Sequence, residues 1–279
     1  MYHYTVMKVL FLGEVVGRCG LTVLKNGLKP LREELGADFV IANCEGATGG
    51  FGLGFSHAQT IFSYGVNVIT TGEKSFYKID MVENIGHQNR ILRPYNFPEQ
   101  APGRGFRYFN VNGQKVCVIN TMGMCCFTNV HLNNPFMTIE RLVEKAHEET
   151  PFVFVSFHAQ ATAEKQLMAY MLDGKASCVV GTHCKALTAD ADVSENGTAT
   201  ITDLGRCGSS NSVGGFEPST EIRKYRTQLV LRSHEGWEDP EIQGALITFD
   251  DKTGKAVAIE TIRRSVEALP GPRPEERKK

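Results

Sequence analysis

The sequence lacks an excess of charge of either sign. Its 279 residues include 30 Lys and Arg against 31 Asp and Glu, which gives a formal net charge of −1. Polyanions and anionic membrane surfaces are recognised through clustered positive charge. We therefore expect neither a nucleic acid polymer nor a membrane as a binding partner.

Long apolar runs and an export signal are also missing. No run reaches the roughly 20 apolar residues that a helix needs to cross a bilayer. Residues 1–6 contain no basic segment followed by a long apolar stretch, so they do not have the pattern of a signal peptide. We expect residues 1–6 to form a short disordered leader and the protein to be cytoplasmic.

Cysteine is present, but without the spacing of a metal or redox motif. The eight cysteines include no CxxC pair, and Cys125 and Cys126 are the only adjacent ones. Several cysteines lie inside apolar runs, where a thiol behaves as a small hydrophobic group. Reduced thiols in a cytosolic protein are the interpretation that fits this distribution.

Short apolar runs that alternate with helical patterns indicate an α/β fold. Hydrophobic residues make up 42% of the chain, enough for a large core. The leucines between Leu21 and Leu35 recur at helical spacing, and Pro30 predicts a kink or a break in that helix. With no internal repeat or linker, we predict one domain over residues 7–264. The Pro-rich, charged tail over residues 265–279 is predicted to be disordered.

The stretch from Val179 to Asp190 begins as a buried strand and continues with polar residues. Side chains two positions apart on extended backbone point the same way, so His183 and Lys185 can face one pocket. Polar residues also follow other predicted strands, namely Glu14, Glu45, Glu73 with Lys74, and His158. The carboxyl ends of buried strands are where α/β sheets build sites. We therefore expect all seven residues to line one pocket.

The segment from Asn43 to Gly54 is rich in glycine and has two interpretations. A glycine-rich loop after a strand can cradle a phosphate group, but the GxGxxG pattern and a P-loop lysine are both absent. A mobile loop beside the site explains the glycines at least equally well.

Seven motifs, in their order along the chain, resemble those of the bacterial YmdB-like metallophosphoesterases, a family of calcineurin-like phosphodiesterases. The resemblance implies a sandwich of two mixed β-sheets flanked by helices. It also implies a two-metal site that hydrolyses phosphodiesters, typically cyclic nucleotides. The motifs are Gly13-Glu14-Val15-Val16-Gly17, Asn43-Cys44-Glu45, Gly72-Glu73-Lys74, Arg93-Pro94-Tyr95-Asn96-Phe97-Pro98, Phe157-His158-Ala159-Gln160-Ala161-Thr162, Gly181-Thr182-His183 and Thr202-Asp203-Leu204-Gly205.

The chain departs from the family pattern at positions that carry the chemistry. By the resemblance, the family has Asp, Asn, Asn, His and His at the five positions that are here Glu14, Gly46, Glu73, Lys74 and Lys185. Glu45, His158 and His183 are kept. The chain is therefore a divergent member with altered metal-site residues.

The resemblance implies two ligand sets, and the departures affect them differently. One metal would use Glu14, Glu45 and position 185, where a protonated lysine cannot act as a ligand. The other metal would use Glu45, Glu73, His158 and His183. Two carboxylates and two imidazoles suit a divalent transition metal such as Mn, Fe or Zn. We therefore predict one such metal or none, and not two.

Catalysis is expected to be impaired for two reasons. A two-metal site clamps the attacking and the leaving oxygen, and that clamp needs both ions. The resemblance also places Lys74 where the family has its general acid. An unperturbed lysine pKa of about 10.4 is far from the optimum for a general acid at neutral pH.

Two functions stay open on the sequence alone. The first is a degenerate family member that binds a phosphate-containing small molecule or a protein partner, or serves as a structural subunit, and that forms a homo-oligomer. Lys74, Lys185 and Gly46 would contact such a ligand. The second is an active metal-dependent phosphodiesterase on cyclic nucleotides or related phosphodiesters. The substitutions fall on the chemistry while the scaffold motifs persist, which favours the first function.

Overall fold

The computed structural model describes residues 6–269. Of the predicted leader over residues 1–6 and the predicted tail over residues 265–279, residues 1–5 and 270–279 lie outside the described residues. Val6 is not disordered as predicted, because it begins the first strand. In the described chain the helices are α1 (Gly17–Leu35), α2 (Phe55–Ser63), α3 (Ile79–Asn84), α4 (Ile139–His147), α5 (Thr162–Met171) and α6 (Pro218–Thr227). The strands are β1 (Val6–Leu12), β2 (Glu14–Val15), β3 (Phe39–Asn43), β4 (Val68–Thr70), β5 (Ile91–Leu92), β6 (Phe106–Val111), β7 (Gln114–Met122), β8 (Phe152–His158), β9 (Cys178–Thr182), β10 (Asp192–Val193), β11 (Ala199–Ile201), β12 (Arg206–Ser209), β13 (Pro240–Asp250) and β14 (Ala256–Ser265).

The larger sheet has eight strands in the order β2-β12-β13-β1-β3-β4-β5, with β14 paired to β13. Strands β1, β3, β4 and β5 run parallel, whereas β13 is antiparallel to both β1 and β14. Because β1, β3 and β4 are parallel neighbours, their carboxyl ends meet at one edge of the sheet.

The smaller sheet has six strands in the order β10-β11-β9-β8-β7-β6. Strands β7, β8, β9 and β11 are parallel, and β6 joins β7 as an antiparallel hairpin. Asn112 and Gly113 close that hairpin with positive φ angles of 51° and 88°, as the Asn-Gly sequence predicts. This sheet is therefore also mixed.

The two sheets pack face to face through side chains from alternate strand positions. In β1, Phe11 points between the sheets while Leu10 points to the helices. The Phe154 ring of β8 meets Phe11 edge to face at 5.9 Å and stacks on Phe249 of β13 at 4.7 Å. Burial of both faces of each sheet explains why the central strands are continuously apolar.

Helices cover the two outer faces of the sheet pair. Leu24 of α1, Ile61 of α2 and Met81 of α3 pack on the larger sheet. Leu142 of α4 and Met168 of α5 pack on the smaller sheet. The predicted sandwich of two mixed sheets flanked by helices is confirmed. Within residues 6–269, no helix is both long and apolar enough to span a membrane.

Two sequence predictions about chain continuity differ from the structure. Helix α1 runs through Pro30 without the predicted break, because Leu28 and Leu31 on either side are buried against the larger sheet, and the alternative of a kink stays a prediction. The ordered chain also continues past the predicted start of the tail at residue 265. The backbone N–H of Val266 donates to the Pro240 carbonyl at 2.9 Å, and Ala268 is buried.

Candidate metal centre

The carboxyl ends of strands from both sheets converge on one centre. Helices follow most of these strands, so the turns after β1, β3, β4, β8 and β9 present their side chains to the same space. The side chains that meet there are Glu14, Glu45, Glu73, Lys74, His158, His183 and Lys185. The contacts show that these side chains lie together, and that they line a pocket stays a prediction.

Four of these residues form a cluster of metal-ligating groups. One atom each from Glu45, Glu73, His158 and His183 lies within 4.8 Å of all the others. Nε2 of His158 is 2.8 Å from Glu73 Oε2, 3.1 Å from His183 Nδ1 and 3.4 Å from Glu45 Oε1. Donors held at about 2.0–2.1 Å from a tetrahedral ion are about 3.3–3.4 Å apart. The donor set therefore fits one divalent transition metal in its chemistry, and its three distances to His158 Nε2 lie near that spacing.

The orientation of His158 is fixed by its other ring nitrogen. Nδ1 lies 2.9 Å from the Thr182 hydroxyl and 3.4 Å from the Asn43 side-chain nitrogen. Contacts of this kind on the far nitrogen select the tautomer and ring orientation of histidine ligands. They direct Nε2 of His158 towards the cluster.

The loop that carries His183 has a strained backbone held by buried polar contacts. The φ angles of His183 and Lys185 are 103° and 60°, values that need support from the surroundings when the residue is not glycine. Asp203 accepts a hydrogen bond from the backbone N–H of Cys184 at 2.8 Å. Arg206 donates to the Lys185 carbonyl at 2.6 Å. These two contacts hold the loop in place.

Lys74 lies between two carboxylates of the cluster. Its Nζ is 3.0 Å from Glu45 Oε1 and 2.5 Å from Glu73 Oε1. Burial works to lower the pKa of Lys74, but the negative charges of Glu45, Glu14 and Glu73 outweigh it and raise the pKa. Lys74 is therefore a fixed positive charge at neutral pH.

His158 and Glu73 form a charged pair. Burial works to lower the pKa of His158, but the carboxylates of Glu45 and Glu73 raise it to about 10. For Glu73, burial works to raise the pKa, and hydrogen bonds from His158 and His183 bring it well below its usual range. A metal ion must displace the imidazolium proton of this pair, since only the neutral ring is a ligand.

Glu14 and Lys185 form a second ion pair beside the cluster. Lys185 Nζ is 3.1 Å from Glu14 Oε1, with the lysine side chain 16% exposed and the glutamate side chain 0% exposed. Neither carboxylate oxygen of Glu14 accepts a hydrogen bond from the described residues. A lysine that stands in for a metal at this position is expected to contact Glu14 or Glu45, and Lys185 contacts Glu14.

Gly46 makes room for Glu14. A Cβ at residue 46 would lie 2.4 Å from Glu14 Oε1 and 3.2 Å from the Val15 carbonyl oxygen. Glu14 therefore fills the space that a side chain at position 46 would need. Gly46 itself is buried, so the role that the structure gives it is steric, and its contact with a ligand stays a prediction.

Several residues that position the centre are absent from the candidates named by sequence. Thr182 supports His158, and the Phe127 ring meets His183 edge to face with a centroid distance of 5.0 Å. Lys165 forms an ion pair with Asp203 at 2.8 Å, with side chains only 3% and 2% exposed. The position of Thr182 next to His183 is a signal for its role. No local sequence pattern identifies Phe127 or Lys165 as residues that support the centre.

A sandwich of two mixed sheets with histidines and carboxylates gathered at the strand ends defines the metallophosphoesterase class of fold. The sequence profile described as YmdB-like protein matches residues 10–262, and the chain belongs to this family.

Relatives support this assignment along nearly the whole chain. The 2',3'-cyclic-nucleotide 2'-phosphodiesterase of Bacillus subtilis is 36% identical over 256 residues, covering 92% of this chain and 96% of that protein. The structure of a novel phosphatase of Mycoplasma pneumoniae has a TM-score of 0.89 at 28% identity, covering 99% of this chain and 98% of that one. A hypothetical protein from Thermus thermophilus has a TM-score of 0.86 at 30% identity, covering 94% of this chain and 100% of that one.

Proposed function

We propose that this chain is a one-metal member of the family that binds a phosphate ester and hydrolyses it slowly or not at all. One observation carries the proposal. The Lys74 ammonium contacts both Glu45 and Glu73, at the position that the resemblance gives to the general acid. The centre therefore has a fixed charge in place of a group that exchanges protons near neutral pH.

The metal would be held by Glu45, Glu73, His158 and His183. When bound, a divalent ion there supplies Lewis acidity and lowers the pKa of a coordinated water. Thr182 keeps the His158 ring in the orientation that presents Nε2. The donor set suits Mn, Fe and Zn, so it does not select one of the three metals.

Protonation of a leaving group is the step that the residues support least. An efficient general acid has a pKa near the working pH. The carboxylates around Lys74 raise its pKa from a value that is already high. Lys74 can attract a phosphate group through its charge, but it holds its proton too tightly to donate it.

The ligand we propose is a phosphate ester of a nucleoside. The side chains of Lys74 and Lys185 are 15% and 16% exposed, so neither is fully enclosed and a ligand can approach both. The Bacillus subtilis relative is named for 2',3'-cyclic nucleotides, which makes such a nucleotide the first probe. Association with a protein partner or a second copy, a structural role and a cytoplasmic location stay predictions.

An active phosphodiesterase is the second candidate. It is favoured by the four-donor cluster, in which the ligand-type atoms already lie within 4.8 Å of one another. A single ion can still activate water at neutral pH. The difference between the two candidates is therefore the rate of turnover and not the presence of a metal.

Paired measurements on the Mn-loaded and the Zn-loaded protein test the proposal. We expect calorimetry to detect binding of a 2',3'-cyclic nucleotide, and chromatography to detect little or no hydrolysis. His158→Ala is the matched variant, because it removes one donor of the cluster. Rapid hydrolysis that disappears in His158→Ala would establish the second candidate. Absence of nucleotide binding would remove the proposed ligand.

A further inference from the structure

The buried carboxylate of Glu14 needs a counter-ion. The side chain is 0% exposed, and neither oxygen accepts a hydrogen bond from the described part of the chain. A buried charge is tolerated only when it is paired or coordinates a metal. Lys185 supplies the opposite charge, with its Nζ at 3.1 Å from Glu14 Oε1.

We propose that the Lys185 ammonium takes the place of a second divalent cation, so that the centre accepts a single ion. The inference deepens the proposed function and rests on the four-donor cluster assigned there. The ammonium offers Glu14 an opposite charge within the fold itself, whereas a metal would offer one only when bound. The protein can therefore fold with the Glu14 side chain buried when no second metal is bound.

The backbone around Lys185 fixes the ammonium in this place. Lys185 has a φ of 60°, and its carbonyl accepts a hydrogen bond from Arg206 at 2.6 Å. Arg206 also donates to the carbonyls of Ser209 and Ser210, at 2.7 Å and 2.6 Å. The loop is therefore tied through Arg206 to strand β12, and the lysine enters the centre from an anchored position.

A divalent ion on Glu14 would have to approach this ammonium. Ligand distances of about 2 Å would place the ion close to Lys185 Nζ, and like charges at such a separation repel. The Lys185 ammonium thus occupies the Glu14 oxygen that a second ion would need.

The replacement involves position 46 as well as positions 14 and 185. By the resemblance, the family has Asp and Asn where this chain has Glu14 and Gly46. The longer Glu14 side chain reaches into the space where a Cβ at position 46 would stand, 2.4 Å from Oε1. A change at position 46 alone would collide with Glu14. A return to the family residues therefore changes position 46 together with positions 14 and 185.

Metal stoichiometry tests the inference directly. The protein is loaded with Mn²⁺ or Zn²⁺, desalted and measured by mass spectrometry of the metal. We expect at most one ion per chain in the wild type and two in the triple variant Glu14→Asp/Gly46→Asn/Lys185→His. Lys175→His is the control, because Lys175 forms an exposed pair with Glu140. It should leave the metal count unchanged. Two ions in the wild type, or one in a folded triple variant, would overturn the inference.

Thermal unfolding provides a test that does not need the triple variant to fold. Lys185→Met leaves Glu14 without a counter-ion, so its Tm in a chelator should fall by about 5–10 °C. Added Mn²⁺ should recover more of the Tm in Lys185→Met than it adds to the wild type. An unchanged Tm in the chelator would contradict the counter-ion role.

The outcomes separate this inference from the proposed function. A wild type that binds the nucleotide without turnover but holds two ions refutes the replacement by Lys185 and leaves the phosphate-binding role standing. A wild type that holds one ion but hydrolyses the nucleotide rapidly refutes the impaired function and leaves the replacement standing.

Discussion

The backbone of Gly72 lies directly against the ring of His158. A Cβ at residue 72 would be 2.3 Å from both Cδ2 and Nε2 of His158, and 2.6 Å from Glu45 Oε2. Real Cβ atoms do not approach other heavy atoms this closely, so only glycine lets the two donors meet here. Gly72 in the turn after β4 therefore leaves the room that the His158 imidazole needs at the end of β8.

Gly72→Ala should weaken metal binding, because the added methyl group displaces Nε2 of His158 from the cluster. We expect the affinity for Zn²⁺ or Mn²⁺ to fall at least about 10-fold, as for other losses of ligand orientation. Titration calorimetry measures the change. Gly86→Ala is the control, since a Cβ at that position meets nothing within 4 Å. Equal metal affinity in Gly72→Ala and the wild type would show that His158 is not a ligand.

Thr182→Val should also reduce metal affinity, by about 10–100-fold. The substitution keeps the side-chain volume but removes the hydroxyl that lies 2.9 Å from His158 Nδ1. Thr121→Val is matched to it, because both threonines are 1% exposed and the Thr121 hydroxyl contacts only Asn96 among the described side chains. Thr121→Val should change stability without changing metal affinity. Similar losses of affinity in both variants would argue against a specific orienting contact.

Asp203→Ala should destabilise the fold strongly. It leaves the buried Lys165 ammonium without its partner at 2.8 Å and removes the acceptor of the Cys184 N–H. Breaking a buried pair in this way costs about 3–5 kcal/mol in the free energy of unfolding. Glu140→Ala breaks an exposed pair, with side chains 48% and 44% exposed, and should cost about 0–1 kcal/mol. Urea unfolding followed by circular dichroism compares the two, and equal losses would contradict the buried pair.

Lys74→Met should have opposite effects on stability and on metal binding. Without metal, Glu45 and Glu73 lose the ammonium that contacts both, so the free energy of unfolding should fall. Metal affinity should rise, because the ion no longer competes with an ammonium for the same oxygens. Lys175→Met, which removes an exposed lysine, should do neither. A fall in metal affinity in Lys74→Met would show that Lys74 supports the ion and does not compete with it.

Much of the scaffold could be predicted from the sequence because its signals are local. Side chains in the apolar runs of β1, β8 and β9 alternate between the two faces of a sheet, and both faces are buried in the core. The polar residues after these runs are local signals too. Parallel strands end at the same edge of a sheet. The positions of His158 and His183 after two such strands therefore predict that their side chains lie close together.

Short strands with few apolar residues could not be predicted in this way. The segment Arg206–Ser209 has the composition of a glycine- and serine-rich loop, yet it forms β12. It pairs with Glu14–Val15 on one side and with β13 on the other. Those partners lie far away along the chain, and a four-residue segment has no periodicity of its own to reveal them.

The balance of charge in the centre was likewise decided by tertiary structure. The sequence contains three glutamates and two lysines at the strand ends, but it does not show which of them pair. Packing of the two sheets determines that Lys74 meets Glu45 while Lys185 meets Glu14. It also determines that Glu14 fills the empty side-chain space of Gly46. Such contacts depend on distances between segments remote in sequence, which periodicity and motif order do not encode. They become fixed only when both sheets close on the same buried volume.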